Sequence, residues 1–65
     1  MFRIKDLQIE GRYFADGESF ETKEDVRKQL IDYHSTDMED DDIVKLEDMT
    51  LDEILAFGQW SIEVV

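Results

Sequence analysis

The sequence predicts a small α+β domain, with a mainly antiparallel sheet of three to four strands and two helices packed on one face, all within a single domain spanning residues 1–65. Three observations carry this expectation. Apolar and polar residues alternate near both ends of the chain, the period of a half-buried strand. An Asp-Gly dipeptide separates two aromatic-bearing stretches, as in a tight hairpin. Two threonine-led, acid-rich starts precede apolar residues at helical spacing.

Taken in order, "FRIKDLQI" opens with Phe2 and Ile4 alternating against Arg3 and Lys5, so one face of a first strand is apolar. Leu7 and Ile9 are out of phase with Phe2 and Ile4. Either a bulge intervenes or the strand ends near Asp6. In "RYFADGESFE" the pair Asp16-Gly17 tolerates the positive φ values of a type I′ turn. Folding there sets Ala15 opposite Glu18, Tyr13 opposite Phe20 and Arg12 opposite Glu21, an aromatic pair on one face and an ion pair on the other.

"TKEDVRKQLIDYHS" reads as the first helix. Thr22 is placed to accept from the first-turn N–H groups, and Glu24 and Asp25 suit the positive end of the helix dipole. Val26, Leu30, Tyr33 and Met38 follow at helical spacing, with Ile31 widening the stripe. His34, in the last turn, would complement the carbonyl end as an imidazolium. At "TLDE", Thr50 and Glu53 form the reciprocal pair of a capping box. Leu51, Ile54, Leu55 and Phe57 give the second helix its apolar face, and Gly58 is placed to end it left-handed. "QWSIEVV" closes with Trp60, Ile62 and Val64 on one face, a last strand expected beside the first. Trp60, Phe57, Tyr33 and Phe20 are expected in the core. Phe14 and one of Val64 or Val65 are the candidates for exposure, next to a strand edge open to pairing.

A 65-residue chain buries only about 60% of the surface it exposes when unfolded. Without cysteine it has neither disulfides nor thiolate metal ligands to supplement that core. No apolar run reaches the roughly 18 residues of a membrane span, and the opening lacks the pattern of a signal peptide. A soluble, cytoplasmic protein is expected. The net charge is −11, and it is uneven. Residues 1–34 carry six bases against eight acids, a net of −2, whereas residues 35–65 carry Lys45 alone against ten acids, a net of −9. A field of that sign repels bare nucleic acid and anionic membranes and favours basic proteins or cations.

The densest acidic run is "DMEDDD", residues 37–42. Its plainest role is a solvated connector, then a negative surface facing a protein, then a calcium loop. The calcium case rests on Asp37, Glu39 and Asp41 at positions one, three and five of a twelve-residue loop closed by Asp48. Against it, Asp42 stands where that loop needs glycine, and Asp48 where it needs the longer glutamate. No catalytic or cofactor-binding motif is present: there is one histidine, no cysteine, and three glycines assigned to turns and a helix end, and most of the eighteen carboxylates sit in solvated runs where nothing sets one apart as acid or base.

The first helix phrase "FETKEDVRKQLIDYHS" (20–35) and the closing phrase "LDEILAFGQWSIEVV" (51–65) resemble those of small uncharacterised proteins encoded by phages and prophages of Gram-positive bacteria. In that group a capped acidic helix ending in a Leu-Ile-Asp-Tyr/Phe-His-Ser phrase is followed by a Leu-x-Glu-Ile-Leu helix and a Trp-x-Ile-Glu strand. The resemblance spans 31 residues and implies a phage-derived accessory protein acting in a host cell; it supplies no catalytic residues. The expected function is non-enzymatic: binding a basic or nucleic-acid-binding host or phage protein, with nucleic-acid mimicry as one form of it. The expected contact residues are Asp37, Glu39, Asp40, Asp41, Asp42, Glu47, Asp48, Asp52 and Glu53, with no cofactor, no metal, no direct nucleic-acid contact and no membrane. The chain is expected to be a monomer or a weak homodimer through a strand edge. The alternatives are a calcium-binding module and a small structural protein.

Overall fold

The computed structural model describes residues 1–65. Its elements are β1 (Phe2–Asp6), α1 (Lys23–Ser35), α2 (Asp40–Glu47), α3 (Leu51–Gly58) and β2 (Trp60–Val64), with a short 3-10 turn over Phe14–Gly17. The α+β class is as expected, but the sheet has two strands and there are three helices. No helix is long and apolar enough to cross a membrane.

The strand at each end of the sequence forms, and the two pair antiparallel with Phe2 opposite Val64, Ile4 opposite Ile62 and Asp6 opposite Trp60. Ile4 is fully buried, and Phe2, Trp60 and Ile62 pack on the core from the same sheet face. The opposite face carries the Arg3–Glu63 pair, in which Arg3 Nε donates to Glu63 Oε1 at 2.8 Å. Arg3 also donates to the Tyr13 hydroxyl at 3.1 Å and lies 4.2 Å from its ring centre. One guanidinium thus ties β2, β1 and the returning chain. The bond that Arg3 donates to Glu63, first among the causes, holds the Glu63 carboxyl below its usual range.

β1 ends at Asp6, so no bulge carries the strand on to Leu7 and Ile9, both of which are exposed. Asp6 is buried, and its Oδ1 accepts from Gln8 N–H at 2.8 Å, a local turn that competes with further strand pairing. The chain reverses over Leu7–Gly11, where Gly11 takes φ +80, and Arg12 then accepts from Asp6 N–H.

The hairpin expected at Asp16-Gly17 does not form. The left-handed pair is Ala15 (φ 51) and Asp16 (φ 56), one residue early, followed by Gly17 at φ +89. With no hairpin there is no pairing of Tyr13 with Phe20 or of Arg12 with Glu21. Residues 13–20 instead run antiparallel beside the free edge of β1, bridging Lys5 to Tyr13 and Phe2 to Phe20. The 3-10 turn over Phe14–Gly17 separates these two isolated bridges, which do not make a third strand. The physical gain is burial of Phe20, 9% exposed, against the helices.

α1 starts where its cap predicts, with Thr22 accepting from Asp25 N–H at 3.1 Å. Val26 and Leu30 are fully buried. The capping box of α3 is complete: Glu53 accepts from Thr50 N–H, and Thr50 Oγ1 accepts from Glu53 N–H. Between these helices the acidic stretch, read from sequence as a connector, winds from Asp40 into α2. Three aspartates sit at its positive end and Lys45 in its last turn, the arrangement the helix dipole favours. Leu46 faces inward at 2% exposure and is the one residue that α2 gives to the core.

Arg27 of α1 holds the corner between α2 and α3. Its Nε and an η-nitrogen each donate to Met49 O at 3.1 Å, and the same η-nitrogen donates to Glu47 O. Glu47 O is one of the carbonyls that an ending helix leaves without an intrahelical donor, and Met49 O lies in the link that follows. The core that results is one cluster of Ile4, Phe20, Val26, Leu30, Leu46 and Ile54.

Candidate functional site

All nine carboxylates singled out from the sequence are exposed. Asp37 and Glu39 lie in the link before α2, Asp40–Asp42 form its first turn, Glu47 and Asp48 lie at its far end, and Asp52 and Glu53 begin α3. At 1.5 Å rise per residue, the two ends of α2 are separated by about 10 Å, so these charges cover a surface and do not converge on a point. Glu53 has a structural task in the capping box. The Thr50 N–H and then the Thr50 side chain hold its carboxyl below its usual range. No three His, Asp or Glu side chains gather as metal ligands would. The twelve-residue calcium loop is not made, because residues 40–47 are helical and positions five and six of that loop would be Asp41 and Asp42, exposed in the first turn of α2.

A second surface was not legible as such. Tyr33 and Phe57, expected in the core, are each 54% exposed, whereas Phe14, expected outside, is half-buried. Phe14 packs edge-on against Tyr33 at 5.3 Å between ring centres and against Trp60 at 5.7 Å. Phe57 meets the ring of His34 at 5.2 Å. The last turn of α1 finds Trp60 at the very start of β2 and no further strand, so Tyr33 lies on the apolar stripe with too little sheet to cover it. Helical spacing identifies the stripe but not where its cover ends.

His34 is not the imidazolium expected at a helix end. Its Nε2 accepts from Trp60 Nε1–H at 3.1 Å, which requires the neutral ring. Desolvation lowers its pKa below 6.5. Gly58 shares this corner and does not end α3 in the left-handed region; Gln59 does, at φ 56 and ψ 52. A Cβ on Gly58 would overlap Trp60 Nε1 and Cδ1 and His34 Nε2, so the glycine is needed for space.

A pH dependence follows with a definite sign. Because the folded pKa of His34 lies below the unfolded one, the unfolded chain binds more protons between the two values. Stability is therefore complete above about pH 6.5 and is lost as pH falls through the lowered folded value. Urea midpoints between pH 7.5 and 5.5, above the range in which ordinary carboxylates titrate, should fall as the solution is acidified. In His34→Gln, which keeps an acceptor and cannot titrate, they should stay level. A midpoint that rises on acidification in the wild type would contradict the assignment.

Beside this corner lies an apolar groove walled by Met38, Leu46, Met49 and Phe57, with Asp42 and Lys45 on its lip. Met38 was legible only as a helix-stripe residue; the sequence signal for the groove is that Asp37 and Glu39 flank Met38 and that Asp48 precedes Met49. Comparison with protein families, with curated proteins and with solved structures finds no match for this chain.

Proposed function

We propose that the chain is a non-enzymatic accessory protein, of the phage or prophage kind its two phrases resemble, which binds a basic protein of host or phage through the acidic side formed by α2 and the start of α3. The observation that carries this is the exposure of all nine carboxylates in a half of the chain whose single base is Lys45. Those charges make few demands within the fold: only Glu53 holds a backbone group by its side chain. Mimicry of nucleic acid is one form of this function, since a nucleic-acid-binding protein already presents the lysines and arginines such a surface attracts.

The test uses the wild-type chain and two variants as bait in a lysate of a Gram-positive bacterium. One variant is Asp40→Asn, Asp41→Asn, Asp42→Asn; the other is Glu47→Gln, Asp48→Asn, which leaves the first turn of α2 and its favourable dipole contacts intact. Basic proteins should be retained by the wild type, released as salt rises from about 0.1 M towards 1 M, and retained less by both variants. Equal retention by all three baits, with no dependence on salt, would assign the acidic run to solubility alone.

A further inference from the structure

The groove between α2 and the exposed end of α3 answers what kind of basic segment would fit the acidic side, an inference that rests on the function proposed above. We infer that the partner presents a basic amphipathic helix, whose apolar anchors enter the Met38–Met49–Phe57 groove while its lysines and arginines meet the carboxylates around it.

Four features point to that occupant. The walls are apolar, and two are methionines, whose unbranched thioethers adapt to differing side chains. At about 350 Å³ the groove is at the small end of the roughly 300 to 1,000 Å³ of ligand pockets, a size for one or two anchoring side chains. Backbone groups at its rim are already bonded: Met38 N–H to Ser35 O, Met49 N–H to Leu46 O, and Met49 O by Arg27. An extended segment would find little to pair with there, whereas a helix satisfies its own backbone and needs only a side-chain contact.

Charge selects among helices. Asp37 and Glu39 flank Met38, Asp42 lies on the lip and Asp48 adjoins Met49; against these four acids stand Lys45 and the Arg27 guanidinium, which is already engaged by Met49 O and Glu47 O. A second copy of this chain would bring another −11 to the contact, and an anionic membrane would be repelled in the same way. A basic helix is the occupant that both the apolar walls and the field favour.

The experiment is a titration of the full chain, carrying methyl-labelled methionine, with three peptides of about 15 residues. The first is a leucine–lysine peptide patterned as an amphipathic helix. The second has the same composition scrambled, and the third has glutamate in place of lysine. Of the three methionines, Met1 serves as internal control, because its carbonyl pairs with Val65 beside the sheet. The first peptide should shift the Met38 and Met49 methyl signals saturably and leave Met1 in place. Phe57→Ser, a change at an exposed site that leaves the core intact, should weaken it by about tenfold. The scrambled peptide should bind more weakly and not respond to Phe57→Ser.

If the first two peptides bind equally well and Phe57→Ser changes neither, the groove is overturned as a docking site while the acidic surface stands. If the acidic peptide binds as well as the basic one, the basic character of the occupant is overturned. If neither lysine peptide binds at low ionic strength, both the groove and the acidic binding surface fall.

Discussion

Replacement of Arg27 by methionine should lower the unfolding free energy by about 2 kcal/mol, in the range of hydrogen bonds that involve a charged group. A domain of this length has a total of about 3 to 10 kcal/mol, so a substitution outside the buried core would remove a large fraction of it. The aliphatic stem is retained in methionine, and what is lost is the guanidinium that donates to Met49 O and Glu47 O. The ion pair of Arg27 with Glu24, at 3.5 Å and with Glu24 well exposed, contributes little beside those bonds. Arg27→Lys should recover only part of the loss, because an ammonium cannot reproduce the planar fork that reaches both carbonyls. Urea unfolding measures the difference. Hydrogen exchange locates it, with faster exchange in α2 and α3 than in β1 and β2. A loss below about 0.5 kcal/mol, the scatter expected of an ordinary surface substitution, would mean that water replaces the guanidinium at the corner without cost.

Gly58→Ala should destabilise by about 1 to 3 kcal/mol, the usual cost of overpacking. The sign is the informative part, since alanine for glycine inside a helix normally gains about 1 kcal/mol. Here the added methyl enters the space of the Trp60 indole and the His34 ring, and the 3.1 Å bond between those two groups breaks if they move apart. The neighbouring substitution Gln59→Gly should act in the opposite direction. It relieves a left-handed conformation that costs a side-chain-bearing residue about 1 to 2 kcal/mol. Thermal unfolding followed by Trp60 fluorescence reads both. A stabilising Gly58→Ala would show that the corner is loosely packed and that His34 is not held as an acceptor.

The groove sets Asp42 beside the apolar walls of Met38, Met49 and Phe57, so that in the proposed function long-range attraction and a short-range apolar contact would meet there. Charge raises the rate of encounter, and apolar anchors slow dissociation. A partner held by both would lose affinity with salt but retain a residue of binding that depends on Phe57. That division makes the salt series and the Phe57 variant independent measurements.

Much of the molecule was readable without coordinates because it rests on rules that act within a few residues. Thr22 and the Thr50–Glu53 box start α1 and α3 where their spacing to the first-turn N–H groups requires. The alternation of Phe2 with Ile4 and of Trp60 with Ile62 marks strands whose pairing needs only that two apolar faces share one core. The exposure of the carboxylates followed from the cost of burying charge. α2 is the helix that the sequence reading lacks, because a run of acids is equally the mark of a solvated link.

What only the tertiary structure decided concerns competition between distant partners. Asp16-Gly17 is a good hairpin turn by its own chemistry, yet the free edge of β1 offered Tyr13 and Phe20 backbone bonds and a buried site that the isolated hairpin lacked. Gly58 reads locally as a helix terminator, but the His34 ring, from a helix remote in sequence, and the Trp60 indole, turned back by the start of β2, occupy the space of its missing side chain. Tyr33 and Phe57 belong to apolar stripes whose cover ends one turn too soon, and that ending is set by the lengths of other elements. Local sequence determined where α1, α3 and the two terminal strands begin, because caps and periodicity are local energies; the path of residues 7–20 and which apolar residues stay uncovered were decided by packing between elements far apart in the chain.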